Sequence, residues 1–525
     1  MPHCFARSWR NFGPDSGASH DGAPHDHRTG GEGDARLSQN RRAWLIVWFF
    51  AILPLLGWWL YGLFDLDEGF YGAVVVEMNR RGEWITPFYN GHPWFEKPIL
   101  LYWLGKPLVS LFGVAVGSRL PSILATIATY GLVAWFTRRR FDDHTARWCV
   151  LILSTSLLVV GVGRMMMTDA LLSFCMAGAL LTFWESLVGS VRWRWLAAFF
   201  LGLGVLAKGP VALLLFAPIA IVFFFREREF RQKFKGGWLL GTLIFALTVS
   251  SWYMPAYLAN GQEFVQKFLI EQNLNRFTGG DQAHTLPGVA GYLIYFGVLL
   301  LGMMPWIFFL RSSVKLAWKQ PLGQYLIIWA AIPFLFFSIS KAKLPHYILP
   351  CCVPLAILIG AKLAKYATDA ENSRSSLRPY RGAFLASVMV CLLANFAFIY
   401  YYNLFHREVH QLAAYVATHQ KAGEDVDSYQ MGRREKSMGT GKMKIQETSH
   451  PSLAMYLDQP IREPETIEQL LADPSAQWII TRWNRLSSGD IETLDSRGRT
   501  IREVKFGKQD LYRLYYLSAA DTIAR

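Results

Sequence analysis

The chain has 525 residues, 52% of them hydrophobic and 15% aromatic, and carries a net charge of +14. So apolar a composition excludes an ordinary soluble domain, and the basic excess points to loops beside anionic lipid, with little reason to expect nucleic acid. Its six cysteines, Cys4, Cys149, Cys175, Cys351, Cys352 and Cys391, fit neither a disulfide framework nor a zinc-type spacing.

Residues 1–40 are charged and glycine-rich, and are expected to be a disordered cytoplasmic leader. His3, His20, His25 and His27 in it are explained by a solvated tail better than by weak metal binding. Ala43 to Leu63 holds 21 residues without a charge, enough to cross a hydrocarbon core of about 30 Å. Its length suits a retained signal-anchor. Further apolar segments fall at roughly 118–136, 147–162, 170–189, 195–207, 210–225, 237–257, 288–310, 321–339, 344–364 and 382–402. Eleven spans thus fill a transmembrane domain at 41–403. The apolar stretch from Ile99 to Phe112 is short and interrupted by Gly105, Lys106 and Pro107, which reads as an interfacial or re-entrant segment.

With Arg41 and Arg42 on the inside, Arg138, Arg139, Arg140, Arg192, Arg194, Arg226, Arg311, Lys315, Lys362 and Lys365 also fall inside, as the positive-inside rule requires. The other side collects a first outer loop at 64–98 and a later one at 258–287. Because eleven is odd, residues 404–525 lie outside too. Strand-like runs at Trp478–Thr481, Ile501–Phe506 and Leu511–Leu517 and helical patterns near Leu412–Ala417 and Thr466–Ala472 predict a small soluble α/β domain there. The expected fold class is therefore an α-helical polytopic membrane protein of about 11–13 transmembrane helices with a small C-terminal α/β extracytoplasmic domain.

The first outer loop carries Asp67-Glu68, with Tyr71 one helical turn beyond Asp67. A carboxylate there can take a proton from an alcohol, a role worth about 10²–10⁴ in rate, although Asp67 also fits as a plain helix cap. Lys97 follows Glu96 and precedes Pro98, and suits a lipid phosphate as well as it suits simple anchoring. Other outer connections hold Arg164 with Thr168-Asp169, the turn Lys208-Gly209-Pro210, and Lys341, Lys343 and Tyr347 in the run SKAKLPHY. Gly279 and Gly280 in the later loop allow a tight turn or a lid ahead of His284, which alone reads as a hydrogen-bonded histidine. Carboxylate, cations and apolar walls together suit transfer of a group from a phosphate attached to a hydrophobic tail.

Asp67-Glu68 with Tyr71, Glu77-Met78, Gly82-x-Trp84-x-Thr86-Pro87 and Phe95-Glu96-Lys97-Pro98 resemble the first periplasmic loop of the ArnT-like and protein O-mannosyltransferase-like enzymes, membrane glycosyltransferases of the GT-C type. Thr168-Asp169, Lys208-Gly209-Pro210, Asn273-Leu274-x-Arg276-Phe277 and Lys343-Leu344-Pro345-x-Tyr347 continue the match in order, over roughly residues 43 to 365. The resemblance implies an inverting transfer of a sugar, such as 4-amino-4-deoxy-L-arabinose, from a polyprenyl phosphate to a hydroxyl or phosphate acceptor. Lipid A, another glycolipid, a polysaccharide or a protein fits as acceptor. The same resemblance implies a bacterial inner-membrane location with the active site and the C-terminal domain in the periplasm. Asp67 would be the base and Glu68 would orient the loop or contact substrate. Lys97 would hold the lipid phosphate, with Tyr71, Arg164, Lys208, Lys341, Lys343 and Tyr347 as further phosphate or sugar contacts. Glu96 and His284 match positions that bind a divalent metal, zinc. Where that subgroup often has arginine two residues after the acidic pair, this chain has Phe70, which removes one expected phosphate contact. A transporter or flippase of lipid-linked sugars is the competing reading, although the spans carry almost no charge besides Glu185 and show no inverted halves. A scaffold that only anchors the outer domain would not need four charged outer turns.

Overall fold

The computed structural model describes residues 29–65, 67–227, 236–275, 289–341, 343–373, 378–431, 451–472, 476–506 and 510–517. Seven helices among them are long and apolar enough to cross a membrane, and two bent pairs raise the number to nine. The pairs are Asp143–Ser154 with Leu157–Gly163, bent by 65°, and Leu293–Gly302 with Trp306–Ala317, bent by 106°. Pro305 lies in the second break, where its missing N–H cannot continue the ladder. The predicted segments at 195–207 and 210–225 are helices Arg192–Lys208 and Val211–Arg226, of 17 and 16 residues. At about 25 Å each they fall just short of a full hydrocarbon crossing. Gly209 joins them at φ 76°, a backbone region that admits glycine readily and closes the turn.

The first span departs from its expected limits at both ends. Its helix runs Thr29–Ile52, so Thr29 to Asn40, assigned to the leader, are helical, and residues 1–28 lie outside the described residues. Pro54 and Gly57 then break it into short 3-10 turns at Leu53–Leu55 and Trp58–Leu60.

The loop at 64–98 is built, not extended. Helix Asp67–Arg80 ends at Gly82, where Glu83 Oε1 accepts the backbone N–H groups of Trp84, Ile85 and Thr86 at 2.9, 2.7 and 3.3 Å. A two-stranded hairpin pairs Phe88–Tyr89 with His92–Pro93. Asn90 and Gly91 between them have φ of 51° and 87°, the Asn-Gly signature of a type I′ turn. Leu100–Phe112 follows as a 13-residue helix, about 20 Å long and so unable to span. Lys106 on it is buried, and its Nζ donates to the carbonyls of Met78 (2.9 Å) and Glu83.

In the later outer loop, helix Trp238–Phe264 is broken at Gly261 (φ 54°, ψ −131°), and Val265–Asn275 then follows in π geometry. Gly279, Gly280 and His284 lie outside the described residues.

Beyond helix Arg378–Phe405, a four-stranded sheet places Asp425–Tyr429 parallel to Ala476–Arg482, which pairs antiparallel with Asp510–Leu517, itself antiparallel to Gly498–Phe506. Helices Arg407–His419, Pro451–Leu457, Ile467–Leu471 and Ser488–Arg497 accompany it. The domain is seated on the first loop. Asn90 exchanges hydrogen bonds with the Ile461 backbone at 2.8 and 2.6 Å, and the Ser452 N–H donates to Asp65 Oδ1 at 2.9 Å. One apolar core runs from the membrane helices through Phe70 and Val74 into Leu453 and Met455.

Candidate active site

Where helices Arg192–Lys208, Val211–Arg226 and Pro321–Ile339 meet the π turn and the end of the first loop, they enclose a cavity of about 330 Å³. Its polar lining includes Glu96, Lys97, Lys208, Gln272, Asn273, Ser340 and Tyr347, and its apolar walls Leu214, Phe268, Phe336 and Phe337. Each element arrives for a local reason. Pro98 halts the chain after Lys97, the Gly209 turn exposes Lys208 at a helix end, and the π turn swings Phe268 and Asn273 inward, with Asn273 Nδ2 donating to the Phe268 carbonyl at 2.6 Å.

Both ammonium groups are held in ion pairs. Lys97 Nζ lies 3.1 Å from Glu96 Oε1, and Lys208 Nζ pairs with Asp169 Oδ1. Lys208 also stands 4.3 Å from the centre of the Tyr347 ring, and His346 Nε2 approaches Asp169 Oδ2 at 3.7 Å. Asp169, Lys208, Asp67 and Lys97 all lie close enough to act electrostatically on His346, although Asp67 is not among the residues that line the cavity. Among the described residues no hydrogen bond or ion pair ties up the Asp67 carboxylate, and it is only partly buried. Helix capping therefore does not account for it.

Other expected site residues are not brought to the cavity. Glu68 is buried, and its two oxygens accept from Arg119 Nε (2.8 Å), Met166 N (2.8 Å), Arg119 Nη2 (2.6 Å) and Phe64 N (3.0 Å). With about four lone-pair positions filled, it is left no room for a substrate hydroxyl and acts as the pin of the loop. Tyr71 is buried against Tyr102, with ring centres 6.3 Å apart, and does not line the cavity. The Arg164 guanidinium is buried and does not line the cavity, lying 5.7 Å from the Tyr61 ring centre and 5.8 Å from that of Phe398. Lys343 Nζ donates to the carbonyls of Phe337 (3.1 Å), Ser338 and Ser340, and so closes the end of helix Pro321–Ile339. Lys341 is exposed. Phe70 stacks on Trp94 at 5.2 Å within the loop's own aromatic cluster, so nothing at that position replaces the missing arginine.

Arg119, His346, Phe268 and the role of Asp169 as partner of Lys208 were not read from the sequence. His346 sits inside the quoted SKAKLPHY run, and its place beside Tyr347 was the available signal.

The chain's residues 96–253 match a family model described as dolichyl-phosphate-mannose-protein mannosyltransferase. The undecaprenyl phosphate-alpha-4-amino-4-deoxy-L-arabinose arabinosyl transferase of Edwardsiella ictaluri is 32% identical over 337 residues, 62% of this chain and 59% of that one. Its counterpart in Pseudomonas paraeruginosa is 31% identical over 375 residues, 69% of this chain and 66% of that one. The chain thus spans about six-tenths of the length of such relatives. Among solved structures, ArnT from Cupriavidus metallidurans bound to undecaprenyl phosphate superposes with a TM-score of 0.66 at 18% identity, covering 90% of this chain and 98% of that one. The oligosaccharyltransferase AglB of Archaeoglobus fulgidus superposes at 0.51 with 12% identity, covering 85% and 70%. At such identities the superpositions establish the fold. It is the GT-C fold of multi-span membrane proteins, with a cation-bearing cavity at one end of the helices. Within that class the chain is most usefully compared with the ArnT-like proteins, to which it is similar over about two thirds of its length.

Proposed function

We propose that the protein is an inverting glycosyltransferase that moves a sugar from a polyprenyl phosphate to an acceptor on the periplasmic side of a bacterial inner membrane. The observation that carries this reading is the cavity in which Lys97, Lys208 and Tyr347 face apolar walls, with Asp67 close enough to act electrostatically on the neighbouring His346. A polyprenyl tail fits the phenylalanine and leucine walls, and its phosphate fits the two ammonium groups. Asp67 takes the proton of the acceptor hydroxyl as the oxygen attacks the anomeric carbon. The bond from that carbon to the phosphate oxygen breaks on the opposite face, and the carrier phosphate leaves with a charge that Lys97 and Lys208 stabilise. An acceptor phosphate, already ionised near neutral pH, attacks without needing that proton transfer. The names of the relatives favour 4-amino-4-deoxy-L-arabinose as the sugar, and lipid A suits it as acceptor; another glycolipid, a polysaccharide or a protein fits the same chemistry. A flippase of lipid-linked sugars is disfavoured because the paired charges sit at helix ends, Asp169 with Lys208 at one end of helix Thr168–Val188 and Glu185 with Arg139 and Arg140 at the other, and not in the middle of the span.

Zinc shared by Glu96 and His284 is testable separately. Glu96 is engaged by Lys97, and His284 lies outside the described residues, so no step above runs through a metal. Elemental analysis of Glu96→Ala and His284→Ala proteins should show metal lost from both, and unchanged content rejects the site. For the donor site, binding of labelled undecaprenyl phosphate to detergent-purified protein should weaken at least tenfold in Lys97→Ala and Lys208→Ala. Affinity equal to that of the unaltered chain in both variants would remove the cavity as the phosphate site.

A further inference from the structure

A second cluster lies at the seam between the membrane helices and the outer domain. Asp65, His406 and His410 offer one carboxylate oxygen and two imidazole nitrogens, all within 4.8 Å of one another. They are mostly buried, with side-chain exposures of 7% for Asp65 and 11% for His406, and 6% for His410 as a residue. The histidines are four apart at the start of helix Arg407–His419, where the His410 N–H donates to the His406 carbonyl at 3.2 Å, so their rings share one face. His406 Nδ1 and Asp65 Oδ2 are 3.3 Å apart. Two donors about 2.0–2.1 Å from a tetrahedral cation are separated by about 3.3–3.4 Å, so that pair already has the spacing of two corners.

The surroundings fit ligands held in place. The Ser452 N–H fixes Asp65 Oδ1, leaving Oδ2 turned to His406. The Tyr402 and Ser452 hydroxyls each lie 3.0 Å from a ring nitrogen of His410, and one can act as the acceptor that sets the tautomer while the other nitrogen ligates. Two imidazoles and a carboxylate suit zinc or a similar borderline divalent ion.

We propose that Asp65, His406 and His410 form a zinc-class metal site that clamps the first outer loop to the C-terminal domain. Bound there, the ion joins the residue two positions before Asp67 to the helix that opens the outer domain, and Ser452 extends the tie to helix Pro451–Leu457. The site does not depend on the transferase reading, since metal content and stability report on it without turnover.

The test uses full-length protein in detergent, stripped with a chelator and titrated with zinc, with metal per chain and melting temperature measured together. Asp65→Asn, His406→Gln and His410→Gln should each lose one zinc per chain and the zinc-dependent rise in melting temperature, also in a Glu96→Ala background. Uptake and melting equal to those of the unaltered chain in all three, or no uptake by the unaltered chain, would leave a hydrogen-bonded cluster and overturn the proposal. Should the substitutions prevent folding, cobalt loaded into the Glu96→Ala chain should give the visible spectrum of a tetrahedral nitrogen-oxygen site, and its absence overturns the proposal equally.

Discussion

Asp67 and Glu68 are adjacent in sequence and opposite in circumstance. Helical geometry turns neighbouring side chains about 100° apart, so the Glu68 carboxylate meets Arg119 while that of Asp67 points elsewhere and stays partly exposed. Arg119 is itself buried and donates further to the carbonyls of Trp58, Tyr61 and Gly62 at 2.8 to 2.9 Å, so it staples the end of the first span to the loop. Glu68→Ala would leave that guanidinium buried without its counter-charge, at a cost of about 3–5 kcal/mol. Loss of folded protein on purification, or a melting temperature lower by several degrees, is the expected reading; unchanged melting would mean that the pair is not structural. From the sequence alone Glu68 could not be told from Asp67, because burial and the Arg119 partner 51 positions away are properties of the fold. The same blindness explains Lys343 and Arg164. A cation at the mouth of a span reads identically whether it meets a ligand, closes a helix on its carbonyls or rests on aromatic rings.

At the scale of elements, hydrophobic runs exposed the helices readily, since twenty apolar residues have few other fates. Breaks inside them were harder to read. The π turn at Val265–Asn275 has no periodicity that distinguishes it from loop, yet it delivers Phe268 and Asn273 to the cavity. Close packing beside the first loop is set by Gly117, where an added Cβ would stand 2.3 Å from the Leu108 carbonyl oxygen. Backbone cannot step aside cheaply, so Gly117→Ala should displace helix Leu100–Phe112 and destabilise the fold by about 1–3 kcal/mol, readable as a lower melting temperature. Just before strand Asp425–Tyr429, Glu424 accepts from Trp478 Nε1 at 2.7 Å and from the Tyr516 hydroxyl at 2.9 Å. Burial raises its pKa, but these bonds and the Lys421 N–H outweigh that and hold the carboxyl below the ordinary glutamate value. A depressed folded pKa gives stability that is present above the unfolded value and lost as pH falls through the folded one. The melting temperature should therefore fall on acidification below the ordinary glutamate range, and Glu424→Gln should remove part of that fall; an identical acid profile in the variant would dismiss the assignment.

For the whole molecule, the two compartments named in the sequence are one packed body. Hydropathy drops after Tyr402 and suggests a separate tail, whereas Asn90, Asp65 and Gly72 receive that tail directly on the loop bearing Asp67. Such docking is written in complementary surfaces, and a linear pattern does not carry it. The outer domain is thus placed to brace the loop, and Asn90→Ala, which removes both bonds to Ile461, should lower turnover together with stability while Lys97 stays competent for phosphate. The central claim is that Asp67 and the cavity cations act together on a lipid-linked sugar. Purified protein in detergent, supplied with a radiolabelled polyprenyl-phosphate sugar and an acceptor hydroxyl, should release one free carrier phosphate per glycoside formed, with inverted anomeric configuration. Asp67→Asn should keep its fold and donor binding and turn over about 10²–10⁴ times more slowly. Near-normal turnover by that variant, or movement of the intact donor without release of carrier phosphate, would contradict the account.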